Sequence, residues 1–161
     1  MDEEARRRVL RKLPYGMFVM TAVGADGKPA GSTLTWISQC SFQPPLVMVA
    51  IQRRSAMHDA VEATGALAVN VLGEDQAEIA RAFFRPPPEG DGRLGEFAYE
   101  PGPATGAPLL KDLPAWLEAR VTDRVYRGDH TVFVGEVVGA GVRDAQARPL
   151  LLGATPWNYG G

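Results

Sequence analysis

Apolar positions along this chain fall into helical, alternating and continuous patterns, and each pattern predicts an element. Residues 2–13 carry Val9, Leu10 and Leu13 as one stripe in a charged segment, which predicts a short amphipathic helix ended by Pro14. Tyr15 to Val23 is rich in β-formers, Ala25-Asp26-Gly27-Lys28 carries a turn signal, and Pro29 to Ile37 predicts the returning arm of a hairpin. After Pro44-Pro45, the run Leu46 to Ile51 is continuously apolar, as expected of a strand covered on both faces. Ser55 suits the N-cap of a helix reaching about Thr64, and Gly65 suits its C′ position. Leu67 to Leu72 predicts another buried strand. Asp75 is placed to cap a short helix through Phe84, which Pro86-Pro87-Pro88 stops. Residues 86–108 concentrate proline and glycine without a period and predict a long irregular loop. Two long strands, Trp116–Tyr126 and Thr131–Val142, turn across Arg127-Gly128-Asp129-His130. Pro149–Leu152 reads as a last short strand before a tail containing Trp157, Asn158 and Tyr159.

Six or seven strands against three short helices predict a mainly β fold, a closed or nearly closed antiparallel barrel. The 161 residues make one domain, residues 1–161: helix 2–13, barrel 15–153 and tail 154–161. A barrel this small is filled by its own side chains, so a ligand belongs outside it, at a mouth or a subunit interface.

Composition narrows the function. Together, 18 glycines and 13 prolines make 31 of 161 residues, loop-rich but below the roughly 25–30% at which disorder takes over. A net charge of −2 offers little to neutralise phosphates, so a nucleic-acid partner is not expected. Arg6, Arg7, Arg8, Arg11 and Lys12 follow Glu3 and Glu4 and read as a solvated helical face. Cys40 is the sole cysteine, and His58 and His130 are the only histidines, so neither a disulfide nor a metal site is expected. No run approaches the ~18 apolar residues of a membrane helix, and the charged N-terminus carries no signal-peptide pattern. The expectation is a cytoplasmic protein with no membrane partner. G-x-G-x-x-G, G-x-S-x-G and H-E-x-x-H are all lacking. Gly24 to Lys28 is a hairpin turn rather than a phosphate loop. Any chemistry is therefore expected to be carried by a cofactor.

Two segments stand out. In Gly31 to Val47, Ser32, Thr33, Thr35, Ser38, Gln39 and Ser41 bring hydroxyls and amides into a strand and the connection leaving it. Alternation sets Thr33, Thr35 and Ile37 on one face and Leu34, Trp36 and Ser38 on the other. This fits an ordinary half-exposed strand or a polar ligand edge. Ser55 with Arg53 and Arg54 fits either a plain N-cap beside exposed arginines or an anion site built from free N–H groups and guanidinium forks.

Taken in order, the pieces resemble the flavin reductase-like family, the FMN-binding split barrels. The matching pieces begin with T-x-T-x-x-S-x-x-S-F-x-P-P-L-V over Thr33 to Val47, the strand Val47 to Ile51, and Arg53-Arg54-Ser55 opening a helix. Gly65 to Leu72, Q-x-x-I-A-x-x-F over Gln76 to Phe83, Gly128 to Val137, and Pro149 to Leu151 complete the series. The resemblance covers roughly residues 15–159, and the variant W-I-S-Q-C-S-F-x-P-P looks closest to the flavin reductase-like domains of flavodiiron proteins.

The resemblance implies an NAD(P)H:flavin oxidoreductase that binds FMN, with FAD as the alternative flavin, near the interface of a homodimer. Thr33, Leu34, Thr35 and Trp36 would line the isoalloxazine, and Ser38 and Gln39 the ribityl or phosphate end. Gln52, Arg53, Arg54 and Ser55 would hold the phosphate, with Phe83, Phe84 and Arg85 at a helix end adding contacts, one of the two phenylalanines being a core residue. His130 would stand at the flavin and nicotinamide side, unless it is a corner histidine bonding its own loop. Tyr159, and with it Trp157, would pack beside the flavin, although this tail departs from the family's usual ending. His58 reads as a helix-surface or phosphate-side residue. Hydride would pass from nicotinamide C4 to flavin N5, and a monooxygenase or electron-transfer partner could take the reduced flavin. The alternatives are a non-enzymatic FMN-binding electron carrier, or a split-barrel module for another ligand such as haem or a pyridoxal-type phosphate. All of this requires the strand end at 33–39 and the helix start at 53–55 to share one groove.

Overall fold

The computed structural model describes residues 1–161. Helix α1 spans Glu3–Leu10, capped by Asp2, whose carboxylate accepts from the N–H of Glu4 at 2.9 Å and of Ala5 at 3.1 Å. The helix stops short of the expected residue 13. None of its residues is buried: Val9, Leu10 and Leu13 are exposed, so the predicted stripe meets no core of this chain.

Strands β1 (Phe18–Val23) and β2 (Pro29–Leu34) form the predicted hairpin, in register from Phe18↔Leu34 to Val23↔Pro29. The second arm ends at Leu34 rather than Ile37. Thr35 and Trp36 leave the ladder, and Ile37 opens a new strand, β3 (Ile37–Ser41), paired with β4 (Leu46–Gln52). Contrary to expectation, β4 is not covered on both faces. Val47, Val49 and Ile51 point into the core while Met48 is exposed, because nothing in this chain packs on the outer face.

Helix α2 (Ala56–Thr64) has the predicted caps. Ser55 Oγ accepts from His58 N–H, and Gly65 closes the C-terminus at φ 64°, a left-handed conformation that glycine adopts without a Cβ penalty. Strand β5 (Ala66–Val71) is buried as expected. Helix α3 (Ala77–Ala82) is not capped by Asp75. Gln76 precedes it instead, accepting from Gly73 N–H and donating to the Asp112 carbonyl, both at 2.8 Å.

Residues 86–108 are not an irregular loop. Short strands β6 (Glu89–Gly90), β7 (Arg93–Leu94), β8 (Phe97–Pro101) and β9 (Pro108–Leu110) form a small antiparallel meander anchored by buried Leu94, Leu109 and Leu110. Two- and three-residue strands are too short to print a period on the sequence. Strands β10 (Ala115–Arg127) and β11 (His130–Val142) form the long hairpin. The expected strand at 149–152 is reduced to bridges, Gly73↔Pro149 and Gly16↔Leu151, followed by a 3₁₀ turn over Leu152–Ala154.

The main sheet is antiparallel throughout, in the order β2-β1-β5-β10-β11-β4-β3. Its two edge strands, β2 and β3, are consecutive in the chain and joined only by Thr35–Trp36, with no ladder between them. The sheet curls nearly into a barrel and leaves a split there. One core, with Met20, Val49, Val61, Leu67 and Phe133, lies between α2 and the sheet. A second, with Met17, Leu72, Phe83, Leu94 and Leu110, lies under α3 and the meander. Gly31 lets the two meet. A Cβ there would fall 2.7 Å from the Phe83 ring, so only glycine lets β2 pass so close.

Candidate functional site

The unpaired edge of β2 finds other partners. Thr33 N–H donates to the Phe83 carbonyl at 3.1 Å, and Thr33 Oγ1 to the Ala80 carbonyl at 2.6 Å, which ties the end of α3 to the strand. On the other side of the split, Ala50 N–H donates to the Trp36 carbonyl at 3.0 Å. Between these ties opens a cavity of about 400 Å³, within the usual range of small-molecule sites. Its lining is mostly apolar, with Met17, Met20, Ile51, Met57, Phe83 and Phe84 among the walls, and the polar groups of Ser32, Thr33, Thr35, Gln52, Ser55 and Tyr159 at its edges.

Of the residues expected at the site, Thr33, Leu34, Thr35, Trp36, Gln52, Ser55, Phe83 and Tyr159 line this one cavity. The strand end and the helix start do share a groove. Ser38 and Gln39 do not join them. They sit on β3 over a second concavity of about 440 Å³ with Phe18, Ile37, Leu117 and Val137. Arg53, Arg54 and Arg85 are exposed neighbours of lining residues; Arg53 is anchored by its N–H to the Asp129 carbonyl at 3.0 Å. His58 is not on the helix surface. It is buried, with Nε2 2.8 Å from Thr131 Oγ1 and its ring edge-on to Phe133. Met17, Met20, Met57, Leu152 and Asn158 belong to the lining unexpectedly. The apolar ones look like core residues in sequence, and nothing local distinguishes them.

Two buried polar atoms in this wall, Thr35 Oγ1 and Trp36 Nε1, have no hydrogen-bond partner in the protein. A buried hydroxyl or indole N–H rarely goes unpaired, and here both lie in the split between the sheet edges. At the helix end, the N–H groups of Ala56 and Met57 also lack acceptors, since Ser55 Oγ serves only His58 N–H. Apolar walls, unpaired donors at the rim and a helix N-terminus fit a flat aromatic ring system carrying a phosphate.

Trp36 joins a cluster at one rim of the cavity. Its ring centroid lies 4.6 Å from that of His130 and 5.1 Å from that of Tyr159. His130 does not itself line the cavity; it stands behind these two rings. Its Nδ1 is 2.7 Å from Asp129 Oδ1 and its Nε2 is 2.9 Å from Tyr159 OH. With the Asp129 carboxylate accepting from Nδ1–H, Nε2 is left to accept from the Tyr159 hydroxyl. The hydrogen bond from His130, and then electrostatic attraction to its ring, hold the Asp129 carboxyl below its ordinary range. Burial, and then the Asp129 charge, push the Tyr159 phenol up.

Comparison with known proteins settles the family. The profile described as "Flavin reductase like domain" matches residues 10–155. The chain belongs to the flavin reductase-like family. "Flavin reductase (NADH)" of Kitasatospora aureofaciens is 36% identical over 152 residues, which is 94% of this chain and 78% of that protein. A reductase component of Rhodococcus opacus 4-nitrophenol 4-monooxygenase/4-nitrocatechol 2-monooxygenase is 31% identical over 87% of this chain and 72% of its own. Among solved structures, Streptomyces globisporus C-1027 NADH:FAD oxidoreductase SgcE6 superposes with a TM-score of 0.82 at 33% identity, covering 93% of this chain and 87% of that one. The same protein has also been solved in complex with NAD and FAD fragments. In this flavin reductase-like protein, no helix is long and apolar enough to cross a membrane.

Proposed function

We propose that this protein is an NAD(P)H:flavin oxidoreductase that seats FMN in the split between β2 and β3. The observation that carries this reading is the pair of buried, unpartnered donors, Thr35 Oγ1 and Trp36 Nε1, in a mostly apolar cavity that also reaches the N-terminus of α2. Bound there, the flavin supplies an electron-accepting ring that takes hydride from the nicotinamide. Thr35 and Trp36 would donate to the polar edge of the ring. Gln52 and Ser55, with the free N–H groups of Ala56 and Met57, would hold the phosphate, and Arg53, Arg54 and Arg85 would add positive charge at the mouth. Phe83, Phe84 and Met57 exclude water from the ring face. His130, oriented by Asp129, holds Tyr159 against Trp36, so the tail forms the wall where a nicotinamide would stack within roughly 3–3.5 Å. Positioning and dryness are what a hydride transfer asks of a protein, and no acid–base pair is needed.

The names of the relatives favour NADH as donor and a monooxygenase component as consumer of the reduced flavin. We place a homodimer interface on the outer face of β3 and β4, where Phe42 and Met48 are exposed beside the second concavity, and the location as cytoplasmic. The test is anaerobic mixing with FMN and NADH or NADPH while the absorbance of oxidised flavin is followed. Stoichiometric bleaching is expected. Failure with both nucleotides, while FMN still binds, would leave an electron-carrier role.

A further inference from the structure

Residues 52–58 and 129–131 close into one ring of contacts. Ser55 Oγ accepts from His58 N–H at 3.1 Å and donates to the Gln52 carbonyl at 2.7 Å. Gln52 faces His130 in the β4–β11 ladder, and Arg53 N–H donates to the Asp129 carbonyl at 3.0 Å. The last side of the ring is made by a side chain. His58 reaches from the first turn of α2 to β11, where its Nε2 lies 2.8 Å from the hydroxyl of Thr131, the residue after His130. Both residues are buried, and the imidazole rests edge-on against buried Phe133. The Asp59 carboxylate stands 4.0 Å from the other ring nitrogen, beyond hydrogen-bond distance, so Thr131 is the polar partner that fixes the imidazole. The ring holds the turn Gln52–Ser55 and the start of α2, where the N–H groups of Ala56 and Met57 have no acceptor. Such a turn binds a phosphate well when its N–H groups are already aimed, because ordering them on binding costs affinity.

We infer that His58 is a positioning residue for the flavin phosphate: by bonding Thr131 it locks the first turn of α2 against β11, and so sets the preference for phosphorylated over unphosphorylated flavin. A buried histidine bonded to a threonine is ordinarily a packing residue. Here both ends of the contact lie beside the segments that flank one anion site, and the His58 N–H closes the same ring through Ser55. His58 does not line the cavity, so its effect passes through the turn and leaves the walls of the flavin ring in place. The inference rests on the reading that seats the phosphate at this helix start, and adds the buried side chain that keeps that start aimed.

Riboflavin carries the isoalloxazine ring of FMN without the phosphate, so the two ligands together isolate the helix end. The experiment titrates both, by flavin fluorescence, into wild type, His58→Leu, Thr131→Val, the His58→Leu/Thr131→Val double variant and Thr64→Val. Thr64→Val is the control: it removes a hydrogen bond at the far end of the same helix, from the Thr64 hydroxyl to the Ala60 carbonyl at 2.9 Å. Thr131→Val keeps the branched shape of threonine and decides the matter by itself if His58→Leu does not fold. Wild type is expected to bind FMN more tightly than riboflavin. His58→Leu and Thr131→Val should each weaken FMN about fivefold and leave riboflavin unchanged. The double variant should be no weaker than either single one, because both remove one shared contact. Equal weakening of FMN and riboflavin overturns the inference while the phosphate seat stands. So does wild-type FMN affinity in Thr131→Val, or the same loss of preference in Thr64→Val. A wild type that binds riboflavin as tightly as FMN overturns both the inference and the phosphate seat.

Discussion

Thr35→Val separates what a side chain does for folding from what it does for a ligand. Valine keeps the branched shape of threonine and replaces only the hydroxyl, which in this protein is buried and unpartnered. An unsatisfied buried polar group costs about 1–3 kcal/mol, so removing it is expected to stabilise the free protein by about 1 kcal/mol or more. For a domain of this size that raises Tm by about 2–4 °C per kcal/mol. The same hydroxyl would donate to bound flavin, and a hydrogen bond is worth about 0.5–1.5 kcal/mol net, so FMN affinity should fall about 2- to 12-fold. The two effects have opposite signs. Differential scanning calorimetry of the free protein and fluorescence titration with FMN measure them separately, with Thr35→Ser as the control that restores a hydroxyl. A Thr35→Val protein that melts lower than wild type and binds FMN equally well would refute the reasoning, because the hydroxyl would then serve the fold and not the ligand.

Three further outcomes are expected. Gly31→Ala should cost about 1–2 kcal/mol in urea unfolding, since its Cβ would crowd buried Phe83 and Leu94 by more than the gain in helix- or strand-forming entropy returns. Glu118 is fully buried and accepts from Ala104 N–H, Thr105 N–H and Thr105 Oγ1, so Glu118→Gln should cost about 2–4 kcal/mol and lower Tm, as seen by circular dichroism. The Tyr159 phenol has a raised pKa in the folded state, so its contribution to stability is fully present below the unfolded value near ~10 and is lost as pH rises through the folded one. Asp129 runs the other way: its lowered pKa contributes above the unfolded value near ~3.9 and is lost as pH falls through the folded one. Urea midpoints against pH should therefore separate wild type from Tyr159→Phe by an amount that shrinks above about pH 10 and from Asp129→Asn by an amount that shrinks below about pH 4.

Much of the fold was legible because it is local. The caps of α2 at Ser55 and Gly65 depend on one hydroxyl and one left-handed residue. The β1–β2 hairpin and the long β10–β11 pair carry their own turns, so their partners lie next to them in sequence. The meander at 89–110 was hidden because its strands span only two to five residues and their anchors are paired by tertiary contact. The continuous apolar run of β4 gave no sign that one face would stay open, since that depends on what else packs there.

The candidate site divides in the same way. By itself the sequence determined which chemical groups are on offer: hydroxyls at Thr33 and Thr35, a capped helix start at Ser55, a histidine in the Gly128–His130 corner and an aromatic tail. Only the tertiary structure decided which of them face one cavity. Strand alternation placed Ser38 two residues from Trp36 on the same face, but the ladder breaks at Thr35–Trp36, and the two residues end on different surfaces. The physical reason is that a curled sheet with consecutive edge strands must open somewhere. The residues at the opening leave the period of the strand and point where the surrounding elements leave room.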